Sequence, residues 1–276
     1  MTLAGIDRLL ITGAAGKLGS VLRDAFVGRV PALRLSDRVD LGERRHGEEH
    51  LVADLADAPA VETMLEGVDA VVHLGGQPVE ADWPTVLRSN IMGCINLWEA
   101  ARKAGTRRIV FASTNHAIGF HRRSTRLDHR SPARPDSRYG TSKAFGEDLA
   151  LYYANKHGIR GFCMRIGSCF PEPSDERMLS TWLSYGDFVR LVEVGLVADY
   201  HYEIVYGVSA NRRSWWDNSR AFALGYRPQD DAERWARRMA GRRSVIAVDE
   251  LFQGGVYCAP DFTGEIERIS GVAGDP

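Results

Sequence analysis

Short apolar runs alternate with longer segments of helical spacing over the first 170 residues, and this alternation constrains the fold most strongly. Near-continuous apolar runs are typical of strands covered on both faces, as in a parallel sheet. Repeated strand–helix order predicts an α/β fold with a Rossmann-type, doubly wound parallel sheet, whose ligands bind beyond the carboxyl ends of the strands. The predicted strands are Leu9–Ile11, Leu33–Leu35, Leu51–Val52, Ala70–Leu74, Arg108–Ala112 and Gly161–Ile166, and the predicted helices are Leu18–Val27, Ala60–Glu66, Val86–Lys103 and Tyr139–His157.

A glycine-rich turn directly follows the first predicted strand and opens a helix. Glycines let the backbone turn tightly and approach a pyrophosphate, whose charge is stabilised by the helix N-terminus. Such a turn alone is a weak signal, because it can also be a simple tight connection. The residues of this turn that we assign to a cofactor site are Gly13, Gly16, Lys17, Leu18 and Gly19.

An acidic residue, Asp37, ends the second predicted strand at the distance expected for an acid that binds the adenosine ribose hydroxyls. Its carboxylate should repel a 2′-phosphate, so the sequence favours NAD over NADP. Arg38, the next residue, leaves the strictness of that preference open, because an arginine can accept the phosphate. Later strand ends add Asp54 and Leu55, which could flank the adenine, and Leu74, Gly75 and Gly76, where small residues allow close approach of a cofactor.

Tyr139 and Lys143 lie four residues apart at the start of a predicted helix. Residues at this spacing share one helix face, so both can reach a common ligand. Free tyrosine has a pKa of about 10, and a nearby lysine and a cationic nicotinamide would lower that pKa and favour the phenolate as a base. Ser113-Thr114 closes the fifth predicted strand at the same sheet edge, where a substrate hydroxyl could be held. Together these residues indicate a catalytic site rather than an isolated helix start.

The charge balance excludes one class of function: 35 Lys+Arg against 36 Asp+Glu give a net charge of −1, which argues against nucleic-acid binding. No apolar stretch approaches the ~20 residues of a membrane span, and the N-terminus lacks a signal-peptide pattern. The four cysteines have no metal-type spacing. We therefore expect a cytoplasmic protein with reduced thiols, no metal site and no membrane contact.

These motifs resemble the extended short-chain dehydrogenase/reductases over residues 8–170. More specifically, several blocks spread over nearly the whole chain resemble the bacterial uronate dehydrogenases. These blocks are Ser113–Phe120, Arg165–Cys169, Arg177–Trp182, Ser214–Asn218 and Phe252–Gly255.

The resemblance implies NAD-dependent oxidation of cyclic glucuronate or galacturonate at the anomeric carbon, giving an aldarolactone. By position, Tyr139 would be the base, Lys143 would bind the nicotinamide ribose, and Thr114 would hold the reacting hydroxyl. Asn115, His116 and Ser168 would contact the sugar and Arg177 its carboxylate. Asn90 and Ile166 would lie near the cofactor.

The strand–helix alternation becomes less regular after residue 170, and this change indicates how the chain is divided. Residues 1–170 would form the NAD-binding Rossmann domain with the catalytic residues. Residues 171–276 would form a small substrate-binding part that is not an independent domain and returns in part to the sheet, with Glu203–Tyr206 as a further strand. Related folds often pair through helices, so we expect a homo-oligomer.

One position departs from the family pattern, and the motifs disfavour two other functions. Pro78 stands where family members carry a substrate-contacting serine, and Gln77 could compensate for the missing hydroxyl. A nucleotide-sugar epimerase or dehydratase is disfavoured, because Asn115-His116 replaces the acidic pair of the dehydratases. A non-catalytic NAD-sensing regulator would not need Tyr139 and Lys143 together. The sequence does not rank glucuronate against galacturonate.

Overall fold

The fold is seen in a computed structural model that describes residue 3 and residues 5–269. The last seven residues of the predicted C-terminal part, 270–276, lie outside the described residues. The strands are β1 (Arg8–Thr12), β2 (Ala32–Asp37), β3 (Glu48–Val52), β4 (Ala70–His73), β5 (Arg108–Thr114), β6 (Arg160–Ile166), β7 (Ser168–Cys169), β8 (Trp182–Leu183) and β9 (Tyr202–Gly207).

Seven of these strands form one parallel sheet in the order β3-β2-β1-β4-β5-β6-β9. The predicted doubly wound α/β fold is confirmed. Each observed strand overlaps its predicted run, and β5 is longer because Ser113 and Thr114 still pair with β6. The predicted strand over Glu203–Tyr206 is β9, which lies at the edge of the sheet beside β6. The two short strands β7 and β8 pair separately with each other.

Helices connect the strands and cover both faces of the sheet. The longest predicted helices are present with small shifts of their ends. The predicted helix Val86–Lys103 is a composite of an α-helix over Trp83–Val86, a π-helical turn (Leu87–Met92) and an α-helix over Gly93–Ala104. The α-helices are α1 (Lys17–Phe26), α2 (Ala58–Leu65), α3 (Trp83–Val86), α4 (Gly93–Ala104), α5 (Arg138–His157), α6 (Met178–Thr181), α7 (Tyr185–Val197), α8 (Ser219–Ala223), α9 (Ala236–Met239) and α10 (Ala247–Leu251). Short 3₁₀ turns occupy Asn115–Ile118, Ala232–Trp235, Gly255–Tyr257 and Ile266–Arg268.

Two hydrophobic cores lie on opposite faces of the sheet, because successive strand residues point to opposite sides. In β1, Leu9 and Ile11 pack into the core that includes residues of α1 and α7, whereas Leu10 packs into the core with residues of α2 and α4. All three side chains are fully buried. No helix in the described part of the chain is both long and apolar enough to span a lipid bilayer.

The sheet order changes direction between β1 and β4. The chain proceeds from β1 outward to β2 and β3 on one side, and from β4 onward on the other. The loops after β1 and β4 therefore separate and leave a crevice at the carboxyl end of the sheet, where doubly wound folds bind their ligands.

Candidate active site

A cleft of about 580 Å³ opens at the carboxyl ends of β1, β4, β5 and β6. It is lined by the loops after these strands, the start of α5 and the C-terminal segment around α10. Most predicted site residues line it: Gly13, Gly16, Lys17, Leu18, Gly19, Leu74, Gly76, Gln77, Thr114, Asn115, His116, Tyr139, Lys143, Ile166, Ser168 and Arg177. The predicted cofactor residues Asp37, Asp54, Leu55, Gly75 and Asn90 are not part of its wall.

The glycine loop closes tightly at the entrance to α1. Gly13 has a φ of +70°, and a Cβ there would lie 2.8 Å from the backbone nitrogen of Gly75. A Cβ on Gly19 would lie 2.3 Å from the carbonyl oxygen of Gly13. Because α1 begins at Lys17, directly after this loop, its first backbone N–H groups are available to an anion. The loop and helix start therefore fit a pyrophosphate.

Asp37 supports this loop from the end of β2. Its carboxylate accepts hydrogen bonds from the backbone N–H groups of Ala15 at 3.0 Å and of Arg38 at 2.7 Å. The residue is half-buried at the carboxyl end of the strand next to β1. A negative charge is thus fixed beside the glycine loop, at the place where this fold binds an adenosine ribose.

Asp54, Leu55 and Gly75 have roles within the protein. Asp54 accepts a hydrogen bond from the backbone N–H of Ala56 at 2.9 Å and forms an ion pair with Arg88 at 2.6 Å, and both interactions lower the pKa of Asp54. A Cβ on Gly75 would lie 2.7 Å from the Leu55 side chain. Glycine at position 75 therefore also makes room for Leu55, and its predicted role in cofactor approach stays a prediction.

Asn90 holds the loop after β4 against α5. Its side-chain oxygen accepts from the Gln77 N–H at 2.6 Å. Its amide nitrogen donates to the Gln77 carbonyl at 3.2 Å and to the Ser142 hydroxyl at 2.9 Å. These bonds fix the Asn90 side chain against Gln77, which lines the cleft, so its position near the cofactor stays a prediction. Gln77 itself lines the cleft and is half-buried, next to the exposed Pro78.

Thr114, Tyr139 and Lys143 come together where β5 ends and α5 begins. Ser137 caps α5 by accepting from the Gly140 N–H at 3.0 Å, which fixes the first turn that carries Tyr139. The Thr114 hydroxyl interacts with the Tyr139 phenol and accepts from the His116 N–H at 3.2 Å. The three predicted catalytic side chains thus line one region of the cleft.

Ser113, the neighbour of Thr114, is bound elsewhere. Its hydroxyl donates to Glu147 at 2.5 Å, and Glu147 also forms a buried two-point ion pair with Arg165, at 2.9 and 2.8 Å. Both residues line the cleft, and the Thr114 hydroxyl is the one of the two that interacts with the Tyr139 phenol.

Burial dominates the electrostatics of Tyr139 and Lys143. It lowers the pKa of Lys143 to about 8, and the ammonium lies 5.0 Å from the centre of the Phe111 ring. Burial also raises the pKa of Tyr139 above its usual range, and the negative charge of Asp136 adds to this effect, whereas the hydrogen bond with Thr114 opposes it. In the protein without a bound cofactor, desolvation of the phenolate therefore sets the direction of the shift, and the predicted lowering of the Tyr139 pKa by Lys143 and a cationic nicotinamide stays a prediction.

Arg177 lines the cleft, and its guanidinium donates hydrogen bonds to neutral groups. It donates to the Gln253 carbonyl at 2.8 Å, to the Ser168 hydroxyl at 3.5 Å and to the side-chain oxygen of Asn115 at 2.6 Å. The Asn115 amide nitrogen in turn donates to the Ile166 carbonyl at 3.1 Å. Burial lowers the pKa of Arg177. Within residues 5–269, no carboxylate forms an ion pair with this guanidinium, so it can receive an anionic ligand.

His116 is held by two residues that the sequence did not single out. Its Nδ1 lies 2.8 Å from a carboxylate oxygen of Asp136, and its ring stacks on Tyr257 with the ring centres 3.8 Å apart. Neither residue belongs to a recognisable motif. Both contacts depend on tertiary structure that brings the loop before α5 and the C-terminal segment together.

Comparison with known proteins agrees with this geometry. A family model described as the NAD dependent epimerase/dehydratase family matches residues 9–185. The uronate dehydrogenase of Pseudomonas putida is 46% identical over 261 residues, which cover 93% of this chain and 97% of that protein.

Two solved structures are also similar over nearly their whole length. The glucuronic acid dehydrogenase of Chromohalobacter salexigens superposes with a TM-score of 0.88 at 48% identity, covering 92% of this chain and 97% of that one. A tyrosine-to-alanine mutant of the Agrobacterium tumefaciens uronate dehydrogenase, complexed with NAD, gives a TM-score of 0.87 at 45% identity, covering 91% and 97%. The resemblance to uronate dehydrogenases is confirmed, and the chain belongs to the NAD dependent epimerase/dehydratase family.

Proposed function

We propose that this protein is an NAD-dependent dehydrogenase that oxidises cyclic hexuronates, D-glucuronate and D-galacturonate, at C1 to the aldarolactone. The observation that carries the proposal is the position of Arg177, whose guanidinium lines the same cleft as Thr114 and Tyr139. A substrate with a carboxylate at one end and an oxidisable C–OH group at the other matches this arrangement. Relatives named uronate dehydrogenase, at 45% to 49% identity, support the same substrate class.

The residues present fit NAD as the cofactor. The glycine loop with the start of α1 would hold the pyrophosphate, Asp37 the adenosine ribose and Lys143 the nicotinamide ribose. When bound, NAD supplies the acceptor for the hydride that leaves the substrate carbon. The fixed carboxylate of Asp37 disfavours the additional phosphate of NADP.

Tyr139 would accept the proton of the C1 hydroxyl while Thr114 holds that hydroxyl in place. A base works best when its pKa is near the working pH, yet burial raises the pKa of Tyr139. The phenolate therefore needs positive charge close to it. Lys143, with a pKa of about 8 and its ammonium 5.8 Å from the centre of the Tyr139 ring, is mainly charged at neutral pH and supplies part of it.

Recognition of the sugar would use the rest of the cleft. Arg177 would bind the carboxylate, since a guanidinium can offer two parallel N–H donors. Asn115 and Ser168, both hydrogen-bonded to Arg177, would fix that guanidinium and contact the sugar. His116 would contact a ring hydroxyl, and Gln77 would approach the sugar from the loop after β4.

Three broader properties belong to the same proposal. The part from residue 171 onward would complete the substrate side of the cleft without being an independent domain, since β9 joins the central sheet beside β6. A homo-oligomer is supported by the exposed apolar side chains of Leu151 and Tyr152 on α5. A cytoplasmic location is supported by the four cysteines, which are all free. The molar mass in solution, measured by light scattering, would test whether the protein forms a homo-oligomer.

The function is tested by following NADH formation with a panel of sugars. We expect rapid NAD reduction with glucuronate and galacturonate, slow reduction with glucose and galactose, and an aldarolactone as the product detected by NMR. Equal rates with the neutral sugars would refute the uronate assignment. Turnover of a nucleotide-sugar without net NADH formation would instead identify an epimerase or dehydratase.

A further inference from the structure

Two segments that are distant in sequence from each other contact the His116 ring. Asp136, in the loop before α5, contacts Nδ1 at 2.8 Å. Tyr257, in the 3₁₀ turn Gly255–Tyr257, lies against the ring face with an interplanar angle of 23°. The ring is therefore fixed both by a hydrogen bond in its plane and by a flat contact on its face.

Two glycines, Gly119 and Gly254, make room for the Asp136 carboxylate. A Cβ on Gly119 would lie 1.8 Å from its Oδ2 atom, and a Cβ on Gly254 would lie 1.9 Å from the same atom. The other carboxylate oxygen accepts from the Ser137 hydroxyl at 2.7 Å, and the side chain is fully buried. This gives Gly254, in the block Phe252–Gly255, a physical role: it admits the carboxylate that binds His116.

The hydrogen bond determines which ring nitrogen carries the proton. An ionised carboxylate only accepts hydrogen bonds, so Nδ1 of His116 must be the donor. In the neutral imidazole, Nε2 is then an acceptor. Among the described residues Nε2 has no hydrogen-bond partner, and His116 lines the cleft.

We propose that Asp136 and Tyr257 are positioning residues that fix His116 as a hydrogen-bond acceptor for a hydroxyl of the sugar ring other than the one oxidised. The proposal rests on the proposed function for the identity of the ligand. The Nε2 atom of His116 would accept a hydrogen bond from the sugar hydroxyl and would take no part in the proton transfer at C1.

The tautomer can be measured without any substrate. Nitrogen-15 NMR of the histidine rings, recorded in alkaline buffer where imidazoles are ordinarily neutral, would be assigned with the His116→Asn variant. We expect His116 to carry its proton on Nδ1 and to lose this preference in Asp136→Ala. A proton on Nε2 in the wild type would overturn the proposal. Because no activity is needed, this result is independent of whether uronates are substrates.

The kinetic test is a double-mutant cycle between Asp136 and His116. Asp136→Asn keeps the side-chain shape that fits between the two glycines. We expect it to lower kcat/KM for glucuronate about 10-fold, mainly through KM, because the lost charge-assisted bond loosens the ring. In a His116→Ala background the same change should cost less than about 2-fold. An equal loss in both backgrounds would show that Asp136 does not act through His116, and would overturn the proposal.

A second pair of variants tests the stacking contact. Tyr257→Phe keeps the ring and should retain kcat/KM for glucuronate within about 2-fold, whereas Tyr257→Leu removes the flat surface and should lower it several-fold. Equal kcat/KM in the two variants would overturn the role of the Tyr257 ring. If the wild type oxidised no uronate while the tautomer was as expected, the proposed function would fail and the positioning of His116 would stand.

Discussion

The ammonium of Lys143 lies 5.0 Å from the centre of the Phe111 ring, at the bottom of the cleft where β5 meets α5. The aromatic face compensates part of the cost of burying a cation. Burial still lowers the pKa of Lys143 from 10.5 to about 8. The buried Lys143 ammonium therefore lowers the free energy of unfolding, although the proposed function requires it in the cleft.

This cost predicts that Lys143→Met stabilises the fold. A lysine whose pKa is lower in the folded than in the unfolded chain destabilises the fold at every pH below about 8. The penalty fades as the pH rises from about 8 to 10.5, the value in the unfolded chain. At neutral pH it amounts to about 3 kcal/mol, which is roughly 5 °C or more in the unfolding midpoint.

Circular dichroism melts at about pH 7 and about pH 10 would check this prediction. Lys156→Met, at an exposed position of the same helix, is the matched control and should change the midpoint little. The account would be contradicted if Lys143→Met did not raise the unfolding midpoint at about pH 7. It would also be contradicted if the rise were equal at the two pH values.

Tyr139→Phe should abolish most turnover while the protein stays folded. The change removes only the phenolic oxygen that we propose as the base, so kcat should fall by at least ~10²-fold, the scale of general-base catalysis. NAD affinity, measured by calorimetry, should change little. Near-normal turnover in the folded variant would remove Tyr139 from the mechanism.

Asp37→Ala should shift cofactor use toward NADP. The substitution removes the carboxylate that repels a 2′-phosphate and leaves Arg38 beside the same position. The ratio of kcat/KM for NADP to that for NAD should rise, chiefly through a lower KM for NADP. Asp40→Ala, an exposed acid in the following loop, serves as the control for a general loss of negative charge. Equal use of both cofactors by the wild type would show that Asp37 does not select NAD.

The sequence was sufficient to predict the parallel sheet, because each buried strand is a short apolar run between turn-forming residues. The grouping of Tyr139, Lys143 and Thr114 could also be predicted, because helix periodicity and strand ends place them at one sheet edge. The partners of His116 could not be predicted, since Asp136 and Tyr257 come into contact with this ring only after folding. The raised pKa of Tyr139 depends on burial, which spacing to Lys143 does not reveal. The hydrogen bonds of Asn90 could not be predicted either, because its orientation depends on a π-helical turn.

We expect Arg177 to be the residue that gives the protein its preference for uronates over neutral sugars. A two-point, partly desolvated contact with a carboxylate should contribute about 2–4 kcal/mol, or roughly 30- to 1000-fold in kcat/KM. Arg177→Ala should therefore lose this factor with uronates and change little with neutral aldoses. Arg177→Lys should recover only part of the loss, because an ammonium is a point charge without the planar fork.

The ratio of kcat/KM for glucuronate to that for glucose, compared between the wild type and Arg177→Ala, tests the central claim most directly. Arg242→Ala is the matched control, since Arg242 also lines the cleft but is exposed. We predict a high ratio in the wild type and in Arg242→Ala, and a ratio lowered by roughly 30- to 1000-fold in Arg177→Ala. An Arg177→Ala variant that lost activity equally with both sugars would contradict the account, since the carboxylate would then be recognised elsewhere.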